Sequence, residues 1–445
     1  MHENRALPDG IVARLEALGQ QLTAFAREHR DASLSELECG VLELVRQVLP
    51  DLLGEVIELS ASGLDSSLAR LPQPCPTCGQ RASVQSWRRR EVKTVCGKVS
   101  FERPWHVCRA CGHGFSPVDA SLELVSRARL SAELRAWLVE LGAKMSFADA
   151  AGLLEKLTGL EVVRETVRLH SERTGAELEE AQQAAAAEVQ MTKEPAETVD
   201  PAPGMLVVET DGVMVPYLDG WHEVKLGLVA GQVDGKLESP SYLAVRASVD
   251  EFGPRLLAEA ARRGALEVVG WEGPVTGRGL AVLRKVVILG DGAVWIWNLA
   301  AEHFGDRIEI IDYYHATEHV WTLGNAFYGE GSAKARAWAR RQSGRLLKKG
   351  AEAVLRALGA IRKCRDEAKE TLRRERAYFR TNAARMAYPS FREQGLPIGS
   401  GAIESEAKRL VQQRMKLPGA RWSDQGAQAV LNVRSQLLSR LPLAC

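Results

Sequence analysis

Two β-branched runs that each stop at an Asp-Gly constrain this 445-residue chain more than any other feature: Met205-Leu-Val-Val-Glu-Thr-Asp211-Gly and Lys285-Val-Val-Ile-Leu-Gly-Asp291-Gly. Runs of this length and composition predict buried strands, so both carboxylates should sit at strand ends where a metal could bridge them. Asp-Gly is also a favoured turn dipeptide, and each pair taken alone admits that plainer reading. A third acid stands in Gly395-Leu-Pro-Ile-Gly-Ser-Gly-Ala-Ile-Glu404-Ser-Glu-Ala-Lys-Arg. The glycine-rich loop with Ser400 predicts a helix start, which places Glu404 in an early turn of a basic helix. Glu406 and Asp312 compete with it as third ligand. Carboxylate oxygens suit Mg²⁺ or Mn²⁺, and paired ions of this kind stabilise the attacking and leaving oxygens of a phosphoryl displacement. The chemistry expected is cleavage or transfer of a phosphodiester.

The surrounding pattern reads as strands over residues 205–210, 213–217, 223–233 and around 242–245. A helix over 252–263, a strand over 285–289, a helix over 293–303 and a strand over 308–311 follow. Three consecutive strands and then alternating helix and strand predict an α/β sheet of ribonuclease H type. Residues 333–392 read as nearly all helix, an insertion with 18 Lys/Arg against 5 Asp/Glu that includes Lys348 and Lys349. Such an insertion is a candidate DNA-contact surface, and Trp338 within it is first a packing residue and second a base-stacking candidate.

A formal net charge of +1 conceals an asymmetry, because residues 333–445 hold 25 Lys/Arg against 9 Asp/Glu while the rest holds 33 against 48. A basic C-terminal part on a carboxylate-bearing core suits a phosphate-backbone partner. Lys408, Arg409, Arg414 and Lys416 carry that character along the Glu404 helix. For any single one of these cations a solvated helical face is the plainer reading.

Four of the eight cysteines form Cys75-Pro-Thr-Cys78-Gly and Cys108-Arg-Ala-Cys111-Gly. Paired Cys-x-x-Cys knuckles with alternating strand pattern between them predict a zinc ribbon, whose four thiolates leave no open coordination position. Cys96, His106 and His113 are nearby alternative ligands; Cys39, Cys364 and Cys445 have no partner at motif spacing. Residues 1–70 read as helices, 71–118 as the ribbon, and 119–190 as a helical domain resembling a helix-turn-helix. In that domain Arg164 and Arg168 open the candidate recognition helix, although any helical hairpin with a glycine turn gives the same pattern. A Pro- and acid-containing linker over 191–204 leads to the core, which is divided into 205–332 and 393–445 by the insertion. No stretch has the apolar length of a membrane span and no apolar signal core opens the chain, so the expected location is the cytoplasm.

Taken together, Glu209-Thr-Asp-Gly-Val-Met-Val-Pro216, Leu289-Gly-Asp-Gly-Ala-Val-Trp-Ile-Trp297, Ile311-Asp-Tyr-Tyr-His-Ala-Thr-Glu-His319 and the Gly395 to Trp422 segment resemble the prokaryotic DDE transposases of insertion sequences, most closely the ISKra-type group. The resemblance extends over the cysteine pairs and covers most of the chain from about residue 72. It implies a ribonuclease-H-like core with Asp211, Asp291 and Glu404 as a Mg²⁺- or Mn²⁺-binding triad. It also implies that His315, in an Asp-x-x-His signature, supports the active site or the scissile phosphate. The partners implied are double-stranded DNA, both element ends and target, and further copies of the chain, at least a dimer on DNA in the nucleoid.

Overall fold

The structure is a computed structural model that describes residues 9–63, 71–124, 129–192, 202–269, 280–283, 285–361 and 366–440. Cys364, Cys445 and most of the expected linker lie outside the described residues. The chain divides into two compact units, one running to His170 and one beginning at Ser171.

In the first unit, α1 (Asp9–Glu28) and α2 (Leu34–Gly63) fold back on one another, with Arg14 of α1 paired to Asp51 and Glu55 of α2. Leu53 and Ile57 of α2 pack on Val92, Val99 and Phe101 of a four-stranded sheet, β1 (Gln73–Pro74), β2 (Arg81–Thr94), β3 (Gly97–Cys108) and β4 (Gly114–Phe115), whose spatial order follows the chain. A short helix, α3 (Pro117–Ser121), follows. Three helices then bury Leu134, Leu138, Leu154 and Val167 together: α4 (Ala132–Lys144), α5 (Phe147–Thr158) and the start of α6 (Arg164–Thr192). Ser131 and Ser146 cap α4 and α5 by accepting from the third backbone N–H, and Gly159 ends α5 in the left-handed region. The helical hairpin expected from the sequence is present. Its last helix continues unbroken for 29 residues to Thr192, longer than the pattern suggested.

The second unit is built on a five-stranded mixed sheet in the order β11-β10-β5-β6-β7. β5 (Met205–Tyr217), β6 (Gly220–Val233) and β7 (Lys236–Val245) are antiparallel neighbours, whereas β10 (Val286–Gly290) lies parallel to β5 and to β11 (Arg307–Ile311). α7 (Val249–Ala260) covers one face: a Cβ on Gly227 of β6 would meet Leu256 and Phe252 of that helix. A π-helical turn leads from α7 to a hairpin of β8 (Leu266–Val269) and β9 (Leu280–Leu283), which the sequence pattern did not suggest. α8 (Val294–His303) connects β10 to β11. α9 (Tyr313–Tyr328), α10 (Ala333–Lys349), α11 (Ala351–Gly359), α12 (Asp366–Thr381) and α13 (Tyr388–Glu393) follow, sharing one hydrophobic core with the sheet through Leu323, Leu346, Phe379 and Tyr388. The expected helical insertion is thus anchored on the sheet rather than loosely appended. Trp338 is buried edge-on against Phe327, which removes it as a base-stacking surface. α14 (Gly401–Glu406) continues through a π-helical stretch to Met415, and α15 (Asp424–Leu438) closes the unit.

One expectation is corrected by the sheet. The Asp211-Gly212 pair does not end a strand: β5 runs through it, pairing Asp211 with Leu226 and Gly212 with Lys225 of β6. The two strands meet only at a tight turn after Tyr217, so the antiparallel partner extends the ladder past the dipeptide. Asp291 does follow the last residue of its strand, as expected.

Candidate functional site

Strand register brings the first two acids together. Gly290, the last residue of β10, pairs with Thr210 of β5, so Asp291 and Asp211 each lie one step beyond the same rung. Asp211 points away from the α7 face, because its neighbour Thr210 pairs with Gly227, which faces α7. Asp211 Oδ1 accepts the Gly212 N–H at 2.7 Å, and Asp291 Oδ1 accepts the Ala293 N–H at 2.8 Å at the start of α8. Glu404 is exposed in the first turn of α14. Burial first, and then the charges of Asp291, Glu404 and Glu223, push the Asp211 carboxyl above its ordinary value. Four acids from four stretches of chain, Asp211, Glu223, Asp291 and Glu404, therefore share one self-repelling field, which a divalent cation would relieve. Their oxygens do not converge to within 4.8 Å of one another; among the described residues only the four cysteines reach that closeness.

Two buried carboxyls hold the helix that carries Glu404. Glu209, two residues before Asp211 on the same face of β5, is fully buried, and its Oε2 accepts the Ile403 N–H at 2.9 Å. Burial, with smaller contributions from Asp312 and Glu404, raises its carboxyl to about 8. Asp312, 1% exposed, bridges two helix starts. Its Oδ1 accepts the His315 N–H at 2.6 Å in α9, and its Oδ2 accepts both the backbone N–H of Ser400 and, at 2.9 Å, the Ser400 hydroxyl. The helix starts at Ser400 as expected, but without a side-chain cap from that serine; the accepting oxygens come from Asp312 and Glu209. Both Asp312 oxygens thus accept bonds from the two helix starts they bridge. Glu406 is buried and paired with Arg409 at 2.6 Å, whereas Glu404 is among the charges that act on Asp211.

The remaining candidates are dispersed. The His315 ring lies 3.4 Å from the Glu318 carboxylate and edge-on to His319, not bonded to the acids. Lys348 and Lys349 are exposed at the C-terminal end of α10, and Lys408 is exposed beyond Glu404. Arg409 is exposed but tied to Glu406, and Lys416 lies 5.9 Å from the Trp221 ring centre. Arg414 is buried over the Trp422 ring, so it is a packing cation and not a surface contact. In the first unit Arg164 is exposed, while the Arg168 guanidinium is held by Glu165 on the same helix.

The cysteines fold as two equivalent knuckles. Cys75 O accepts the Gly79 N–H at 2.9 Å and Cys108 O accepts the Gly112 N–H at 2.8 Å, both glycines being left-handed at φ +72° and +75°. The turns bring Cys75 within 3.6 Å of Cys111, and Cys78 within 3.6 Å of Cys108 and 3.4 Å of Cys111. Against burial, which raises it, backbone N–H groups of Cys78 and Thr77 draw the Cys75 thiol down to about 6. In Cys108 the N–H groups of Cys111 and Ala110 act in the same direction. Cys78 is driven up because its neighbours' thiolates disfavour a further charge, despite the Gln80 N–H that favours it. Four thiols at one point, two biased to ionise, can hold a metal such as zinc. Cys96 and His113 stay outside the cluster, and His106 is buried with Nε2 3.2 Å from Leu71 O.

Sequence reasoning missed Glu209 as a site residue. Its signal was an acid inside an apolar strand, in phase with Asp211. In the comparisons with known proteins, the family model described as "Uncharacterised protein family (UPF0236)" matches residues 28–230, a span that contains the ribbon and Asp211. A relative from Streptococcus gallolyticus, named "UPF0236 protein in vanSb 3'region", is 24% identical over 417 residues, covering 89% of this chain and 81% of the relative. The chain is therefore similar to UPF0236 proteins over most of its length.

Proposed function

We propose that this chain is a DDE transposase that cuts DNA at the ends of an insertion sequence and joins the freed ends to a target. The observation that carries the reading is the single acidic field formed by Asp211, Asp291 and Glu404 at the end of the β5/β10 pair. The strand order supports a ribonuclease-H-like core, with three antiparallel strands and two parallel ones added on the far side of the first. Asp211, Asp291 and Glu404 would hold Mg²⁺ or Mn²⁺, which supplies Lewis-acid stabilisation of the phosphodiester. Around them, Glu209 and Asp312 keep the start of α14 in place, and the exposed cations Lys348, Lys349 and Lys408 would meet the phosphate backbone. Water first breaks a P–O bond to free a 3′-hydroxyl; that hydroxyl then attacks a target phosphorus and displaces the target's own 3′-oxygen. Two ends must be held together, so the working form is at least a dimer acting on nucleoid DNA.

A second reading is a zinc-dependent DNA-binding regulator on a transposase-derived scaffold, favoured by the triad's failure to converge as closely as the cysteines do. A structure-specific nuclease would use the same acids without joining. The test is a strand-transfer assay on DNA carrying the element's flanking ends with Mg²⁺ or Mn²⁺. Native protein should give joined products, and Asp211→Asn, Asp291→Asn and Glu404→Gln should each abolish them while end binding persists. Cleavage without joining supports the nuclease, and binding without metal-dependent cleavage supports the regulator.

A further inference from the structure

The helical insertion reaches the acidic face through one side chain. Tyr378, on α12, places its hydroxyl against the Asp291-Gly292 turn: a Cβ on Gly292, whose φ is +100°, would come within 2.9 Å of the Tyr378 oxygen. That oxygen is buried and makes no hydrogen bond among the described residues. A buried hydroxyl without a partner costs free energy unless something else completes it.

The ring is held there by its neighbours. It stacks on His319 of α9 with centroids 3.7 Å apart and planes 19° from parallel. His319 Nδ1 is in turn 2.6 Å from Glu375 Oε2, one turn before Tyr378 on α12. Glu375 is buried and also bonded by Arg374 at 2.9 Å, so the imidazole is gripped by an anchored carboxylate. A core-filling tyrosine needs neither a stacked histidine nor an acid behind it. The arrangement therefore fixes where the hydroxyl points.

Resting on the transposase reading above, we propose that Tyr378 is a catalytic residue whose hydroxyl donates a hydrogen bond to a non-bridging oxygen of the DNA phosphate seated at Asp291. His319 and Glu375 are its positioning residues. The insertion thereby contributes to the reaction centre as well as presenting basic surface, and the site is complete only when α12 is docked on α9.

The experiment compares cleavage of end DNA by the full chain and by Tyr378→Phe, which keeps the ring and its stacking. The expected result is about a tenfold lower cleavage rate, the scale of one hydrogen bond strengthened in the transition state, with end-DNA affinity unchanged and the thermal midpoint of the free protein not lowered, since the lost hydroxyl has no partner there. His319→Ala should lower the rate similarly, and adding Tyr378→Phe to it should cost no further loss, since both remove the same contact. Equal cleavage by Tyr378→Phe and native protein overturns the proposal while leaving the transposase reading intact. Additive losses in the double variant overturn the relay through His319. Native protein that cuts no DNA overturns the transposase reading and this proposal with it.

Discussion

Glu209→Gln should remove a pH dependence that the native fold carries. The buried Glu209 carboxyl titrates at about 8 in the folded chain against 4.5 for an ordinary glutamate. The folded state therefore binds more protons than the unfolded state between those values, so stability falls as pH rises through the window and the full cost is present above pH 8. Linkage puts that cost at about 3.5 kcal/mol between pH 5 and pH 8. Glutamine can still accept the Ile403 N–H and never ionises. The variant should match native stability near pH 5 and exceed it at pH 8, a difference of roughly 5–10 °C in the midpoint for a unit of this size. Calorimetric scans at pH 5, 6.5 and 8, without added divalent cation, would measure it. Asp211 shifts in the same direction but is present in both proteins, so the comparison isolates Glu209. Parallel native and variant curves across this range would refute the assignment of a neutral, capping carboxyl to Glu209.

The ribbon should carry one zinc per chain, and Cys75→Ser or chelation should expose the amides of residues 71–115 to hydrogen exchange while β5 and β10 stay protected; unchanged protection would exclude a structural metal. For DNA binding, the Lys348→Ala, Lys349→Ala double variant should lower the salt dependence of affinity by up to about two units of slope. Arg414→Ala should leave that slope unchanged and lower the thermal midpoint instead, since the guanidinium is buried over Trp422. Salt titrations and melting curves of the two variants separate these roles.

What was legible in the sequence was mostly local. β-branched runs found the central strands, a glycine turn found the helical hairpin of α5 and α6, and Cys-x-x-Cys spacing found the cluster that the knuckle turns assemble. What was not legible depended on partners far away. Asp211-Gly212 has turn chemistry, yet β6 is long enough to pair through it, and a ladder of hydrogen bonds outweighs a local turn preference. The hairpin β8–β9 lacked a clean alternating pattern. Arg414 sits in a cationic stretch that reads as surface, but helical periodicity turns it inward; Trp338, read first as a packing residue, is buried as that reading has it.

The placement of Glu404 shows why the third acid is the hardest to read. Nothing near it in sequence holds its helix start. Ser400 does not cap, and the N–H groups that open α14 are met by Asp312 and by Glu209, the latter 194 residues earlier. A helix start has unmet N–H groups and a positive end, so buried carboxyls on the sheet are suitable anchors for it. Those anchors alternate in phase with the site: Glu209 shares a strand face with Asp211, and Asp312 follows β11, the strand beside Asp291. The sheet thus offers half-buried acids, Asp211 and Asp291, as candidates for a metal, and fully buried acids, Glu209 and Asp312, for the helix that carries Glu404. Any substitution that loosens Glu209 or Asp312 should act on the reaction through Glu404, without either carboxyl touching the substrate.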